Sequence, residues 1–265
     1  MKPDLFADIP ASVRLKGPLS LPPPRSELEL LQELEAQSSR NQSGDPFLGA
    51  GSYRHFIPSA VKHIIGRSEF STAYTPYQAE ASQGTLQAIY EYQSMICDLT
   101  GMEVANASMY DGATALAEAA MMAARITGRR AIAVSAAVHP HYRAVLKTYC
   151  AATDLTITEI PFDLASGLTE GVRRLEADTA GLIIQQPNFF GNIEPADQAA
   201  ELAHKNGALF IVSADPISLG LLKPPGEYGA DIVVAEGQSL GNPQSWGGPG
   251  LGIFAAKKEF LRQMP

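Results

Sequence analysis

The strongest constraint on this chain is a beat of short apolar runs separated by helix-length stretches, which sets in near residue 104 and continues to residue 256. Strand patterning reads near Val104 to Met109, over 131–135, 155–160 and 181–185, then over Leu209–Ser213, Asp231–Ala235 and Leu251–Ala256. Helical spacing occupies 112–127, 140–151, 169–176 and 195–206 between them. Alternation of this kind, with short connections, predicts an α/β fold: a mainly parallel sheet with helices on both faces. Ligands on such sheets collect at the carboxyl ends of the strands.

That rule directs attention to Asp215, which follows the apolar run LFIVSA, and to the Gly/Pro-rich loop after the next strand. A strand-end Asp followed some two dozen residues later by a polar loop resembles the cofactor grip of aminotransferase-like, pyridoxal-phosphate-dependent enzymes of fold type I. In those the Asp faces the pyridine nitrogen and a Lys in the later loop bonds the cofactor aldehyde. Here no Lys occurs between Lys223 and Lys257, and the loop offers Gln238 and Ser239 instead. Lys223 lies in a Pro-rich turn ahead of the strand, not after it. Only a primary amine can make that bond, so no covalently bound cofactor is expected.

Two further positions bear on the same question. Gly112 opens a helix directly after a strand, where free N–H groups and the helix dipole can hold a phosphate, but Asp111 can cap that helix in the phosphate's place. His139 and His141 flank Pro140 after the run AIAVSAAV, where a ring can stack on a cofactor or merely cap the helix. His63 and His204 have no sequence partners and read as structural or solvated.

Before the alternation begins, residues 1–25 are Pro-rich and predict an irregular arm. Ser26 and Glu29 have capping-box spacing and introduce a short helix with Leu28, Leu31 and Leu34 on one stripe. The expected organisation is an arm and helix over 1–45 and one large domain over 46–265. Glycines at 49 and 51 lead into Tyr53, Arg54 and His55. Tyr74, Pro76, Tyr77, Gln78 and Glu80 form an aperiodic stretch dense in aromatic and hydrogen-bonding groups, which predicts a binding surface. A helix over 84–101 should follow, with Leu86, Ile89, Tyr90, Ile96 and Leu99 inward.

Composition excludes several classes. With 20 basic and 28 acidic residues the net charge is −8, which disfavours nucleic acid and anionic membranes as partners. No apolar run approaches the roughly 20 residues needed to span a bilayer. Cys97 and Cys150 have neither redox nor metal spacing, and no His pair has a convincing metal-ligand spacing. Asp4 and Asp8 at the start of the chain suit neither a secretory signal nor a transit peptide, so a cytoplasmic protein is expected.

Taken together, GAGSYRHFIPSAV, TAYTPYQAEASQGTLQAIYEYQ, MYDGATALAEAA, QQPNFFG and PPGEYGADIVVAEGQSLG with the later WGGPGLG resemble glycine dehydrogenase (decarboxylating), the P-protein of the glycine cleavage system, in its split form, subunit 1. The resemblance implies a heterotetramer in which a lysine-bearing subunit 2 carries the pyridoxal phosphate. It implies glycine as the substrate of the complex and the lipoyl H-protein as acceptor of the aminomethyl group. It also implies a smaller C-terminal domain not represented in this chain. By the same resemblance, Tyr53, His55, Tyr74, Pro76, Tyr77, Gln78 and Glu80 are expected near the partner's pocket or tunnel. Gly112, His139 and Asp215 would mark a degenerate cofactor pocket. A stand-alone pseudoenzyme or small-ligand module on the same fold is the alternative.

Overall fold

The computed structural model describes the chain apart from residues 1–3, 43, 45, 46, 48–52, 72–74, 108 and 172–174. It divides into two units, Met1–Leu48 and Gly49–Pro265. In the first, residues 4–25 form turns without helix or strand, and α1 spans Glu27–Ser38. Both halves of the capping box are present: Glu29 N–H donates to the Ser26 hydroxyl, and the Glu29 carboxylate accepts from Ser26 N–H at 2.8 Å. That interaction holds the Glu29 carboxyl below its usual range. Leu28, Leu31 and Leu34 all lie exposed.

The second unit carries α2 (Ser59–Ile65), α3 (Ser68–Ser71), α4 (Gln83–Thr100), β1 (Val104–Ala105), α5 (Gly112–Thr127), β2 (Ala131–Ser135), α6 (Pro140–Ala151) and β3 (Thr156–Ile160). Then come β4 (Thr179–Gln186), α7 (Ala196–Lys205), β5 (Leu209–Ala214), β6 (Ile232–Glu236) and β7 (Gly252–Ala256). The seven strands form one sheet in the order β1-β7-β6-β5-β4-β2-β3. Strands β2 to β6 run parallel, and β7 and then β1 add antiparallel at one edge.

Side-chain alternation along the strands builds two cores. Phe210, Val212, Val233, Ala235 and Ile253 join Ile96 of α4 and Ala200 and Ala203 of α7 on one face. Ile211, Ile232, Val234 and Phe254 join Leu116 and Met122 of α5 and Leu146 of α6 on the other. Phe210, Phe254, Ile183 and Leu116 are fully buried. Each such side chain contributes about 1.5–3 kcal/mol of transfer free energy.

At the amino ends of the strands, several polar groups are paired across elements. Asp231 is buried and accepts from Phe210 N–H at 2.7 Å and from His204 Nε2 at 2.8 Å, and it pairs with Lys257. Arg129 spans two carbonyls with one nitrogen, Thr179 at 2.9 Å and Asn206 at 2.8 Å. His204 therefore has a partner that its sequence context does not reveal.

Three expectations fail. Residues 169–171, 175 and 176 are not helical: Thr169 bridges Phe162, gives its N–H to Glu194 and shares a hydrogen bond with Ser135, which extends the chain there. In α4 only Ile96 and Thr100 are buried, and Leu86 and Tyr90 are exposed. At about 1.5 Å per residue the helix far outruns the short strands it packs on, so its front half overhangs the sheet. The run from Val104 to Met109 is not one strand: β1 is two residues, and Met109 returns to pair with Gly252 as an isolated bridge.

Candidate functional site

Parity along the strands delivers Gln185 of β4, Ser213 of β5 and Glu236 of β6 to one cavity at their carboxyl ends. Ser213 lies opposite both Gln185 and Val234 in the sheet register, and Glu236 is two residues beyond Val234 on the same face. The cavity has a volume of about 290 Å³, and Tyr53, His55, His139, Tyr142, Asn188, Phe189, Asp215, Gln238 and Ser239 complete most of its wall.

His139 precedes α6, where its imidazole accepts from His141 N–H at 3.1 Å and its backbone N–H donates to Gln185 Oε1 at 2.8 Å. Its ring stands 5.0 Å from Tyr142 and meets Phe189 edge-on at 5.0 Å. Phe189 is carried by a loop that neighbouring amides hold rigid. Asn188 donates to Gly167 O and to the buried Glu194, and its oxygen accepts from Phe190 and Asn192 N–H. Gln186 and Glu194 close the same loop through Glu194 N–H at 2.8 Å.

Asp215 is partly exposed at the cavity wall. Its Oδ1 accepts from Ile217 N–H at 3.1 Å, and Ser218 donates to its carbonyl at 2.7 Å. The residue thus anchors the turn around Pro216 and also lines the cavity.

At the start of α5 the donors that could hold a phosphate are already engaged. Asp111 Oδ1 accepts from Thr114 N–H at 2.7 Å, and the Thr114 hydroxyl oxygen in turn accepts from Asp111 N–H. Glu236 Oε2 accepts from Gly112 N–H at 2.9 Å, while its Oε1 accepts from Gln238 N–H at 2.9 Å and Leu251 N–H at 2.8 Å. A methyl group on Gly112 would come within 2.5 Å of the Tyr142 hydroxyl and 2.9 Å of Glu236 N, so only glycine permits this approach. Burial, then the carboxylates of Glu236, Asp111 and Asp215, push the Tyr142 hydroxyl pKa upward.

The residues present do not fit a covalently held pyridoxal phosphate. The loop after β6 supplies Gln238 and Ser239, Lys223 does not line the cavity, and two carboxylates sit where a phosphate would need free donors.

Of the expected site residues, Tyr53 and His55 come together with His139, Asp215, Gln238 and Ser239 in this cavity, with Gly112 just behind it. Pro76, Tyr77, Gln78 and Glu80 lie elsewhere, Tyr77 being strongly exposed. Tyr74 lies outside the described residues. His141 is exposed at the start of α6. Sequence reading missed Glu236, Ser213, Gln185 and Asn188, although strand parity from Ile232 and Val234 would have pointed Glu236 at the site. Among the described residues no three His, Cys, Asp or Glu side chains are placed to hold a metal, and no helix is long and apolar enough to cross a membrane.

The family model for the glycine cleavage system P-protein matches residues 3–265. The probable glycine dehydrogenase (decarboxylating) subunit 1 of Carboxydothermus hydrogenoformans is 53% identical over 99% of this chain and 60% of that protein. That of Chlorobaculum tepidum is 56% identical over 98% and 60%. A crystal structure of glycine decarboxylase (P-protein) of the glycine cleavage system, in inhibitor-bound form, superimposes with a TM-score of 0.94 at 49% identity, over 99% of this chain and 59% of that one. A Burkholderia pseudomallei sphingosine-1-phosphate lyase, 15% identical with a TM-score of 0.61 over 94% of this chain and 63% of that one, shares the fold alone. The chain spans about 60% of the length of the curated relatives it matches. On a family match that runs nearly from end to end, the chain belongs to the glycine cleavage system P-protein family.

Proposed function

We propose that this chain is the lysine-free half of a two-subunit glycine decarboxylase, and that it shapes the reaction site without bonding the cofactor. The observation that carries this reading is the combination of family membership with a cofactor position lacking an amine and plugged by Glu236. In this reading pyridoxal phosphate resides on a lysine-bearing partner, where it supplies the electron sink for decarboxylation. Glycine is the substrate of the complex, and the lipoyl arm of an H-protein receives the aminomethyl group. Two unpaired cysteines suit a reducing cytoplasm.

The roles of individual residues follow the same proposal. Tyr53 and His55, with Tyr74, Pro76, Tyr77, Gln78 and Glu80, border the partner's pocket or the lipoyl entrance, positioning groups and excluding water. Trp246 and Tyr110, both strongly exposed on the loops at the carboxyl edge of the sheet, add apolar surface that favours a protein contact there. The domain organisation proposed is an arm over 1–45, suited to wrapping a partner, and one large domain over 46–265.

The test is glycine–bicarbonate exchange measured with this chain alone, with the lysine-bearing subunit alone and with both. Exchange should require both, and borohydride reduction should leave the pyridoxyl label on the partner. Exchange by this chain alone, or a label on Lys223, overturns the proposal.

A further inference from the structure

We propose that the cavity at the carboxyl ends of β4, β5 and β6 is a ligand site for a small organic cation, an aromatic ring bearing a protonated amine, and that it rejects phosphate. The proposal goes beyond the assembly reading and does not depend on it, because it concerns what the isolated chain binds.

Charge comes first. The cavity wall carries the carboxylates of Asp215 and Glu236 and, among the described residues, no Lys or Arg. Asp111 adds a third carboxylate near Tyr142. An anion entering here gains no Lys or Arg partner from the wall and meets like charge at short range.

Donors come second. The first turn of α5 would attract an anion, yet Glu236 takes Gly112 N–H and Asp111 takes Thr114 N–H. Glu236 is thus a built-in occupant of the anion seat. To bind there, a phosphate must displace a carboxylate that also holds Gln238 and Leu251.

An independent observation marks the cavity as a site for a polar guest. Ser213 is 2% exposed and lines the cavity. The Ser239 hydroxyl, also on the wall, is buried without a partner. Buried polar groups are rarely left unpaired unless something else completes them. Rings of Tyr142, Phe189 and His139 form part of the wall, and aromatic faces beside carboxylates recognise organic cations. A volume of about 290 Å³ accommodates one substituted six-membered ring.

Titration calorimetry on the isolated chain tests this with a matched set: pyridoxamine, pyridoxamine 5′-phosphate and inorganic phosphate. Pyridoxamine should bind at least about tenfold more tightly than its phosphate ester, and inorganic phosphate should give no signal. Asp215→Asn should weaken pyridoxamine by about tenfold, since it removes an open carboxylate without touching the Glu236 contacts. Glu236→Gln can keep an acceptor for Gln238 and Leu251 while releasing Gly112 N–H, and should narrow or invert the preference. Should Glu236→Gln fail to fold, Asp215→Asn and the wild-type chain decide the matter. Equal or tighter binding of the phosphate ester to the folded wild-type chain, or no binding of pyridoxamine to it, overturns the proposal. So does a preference unchanged in folded Glu236→Gln or an affinity unchanged in Asp215→Asn.

Discussion

The two ends of the sheet are built to opposite specifications. At the amino ends, Asp231 gathers a backbone N–H, an imidazole and an ammonium group, and Arg129 ties two carbonyls together. At the carboxyl ends lie the unpaired hydroxyl of Ser239, the exposed carboxylate of Asp215, and a Gly/Pro loop on which Ser245 and Trp246 adopt positive φ. Asp231 and Arg129 are spent on holding the fold, whereas Ser239 and Asp215 leave polar atoms facing the site or solvent. The difference teaches where stability and function are divided within a single sheet.

Substitutions can sharpen or break that contrast. The largest effect is expected for Asp231→Ala, which strands a buried N–H and two cationic or polar partners; urea denaturation should show a loss of about 3–5 kcal/mol. Gly112→Ala drives a methyl group against Tyr142 and Glu236, and about 1–3 kcal/mol should be lost in the same assay. Asp111→Ala removes the cap of α5 and should cost about 1 kcal/mol, visible as a lowered thermal midpoint.

A smaller effect depends on pH. The Glu159 carboxyl is held below its ordinary range chiefly by Lys147, against an opposing effect of burial, with Arg143 adding attraction. Because its folded-state pKa is depressed, the stability it supplies is complete above the unfolded value near 4.5 and fades as the pH falls through the lower, folded value. Glu159→Gln should therefore differ from wild type at pH 7, by less than about 1 kcal/mol, and by less than that at pH 3. Parallel denaturation curves at both pH values would disprove this. Smallest of all, Ser213→Ala should leave the midpoint within about 0.5 kcal/mol of wild type. A loss matching that of Asp231→Ala would erase the contrast between the two ends.

Much of the fold was legible because periodicity and capping agree locally. α5, β2 and α6 stand where their apolar spacing, their Asp and Pro starts and their glycine or loop ends place them. The segment from Thr169 was misread because its contacts, to Ser135, Phe162 and Glu194, are distant in sequence and no local pattern encodes them. Of the candidate site, Asp215 and His139 were legible in the sequence as strand-end residues, and both line the one cavity. Glu236 escaped notice because its partners Gly112 and Leu251 lie 124 and 15 residues away.

The three-way grip of Glu236 also bears on how readily such a pocket could change its trade. One carboxylate fastens the start of a helix, a turn and the approach to the closing strand, so its loss loosens three segments before any newcomer is welcomed. Any substitution at Glu236 that frees Gly112 N–H for another guest should therefore meet a dip in folding robustness at its first step.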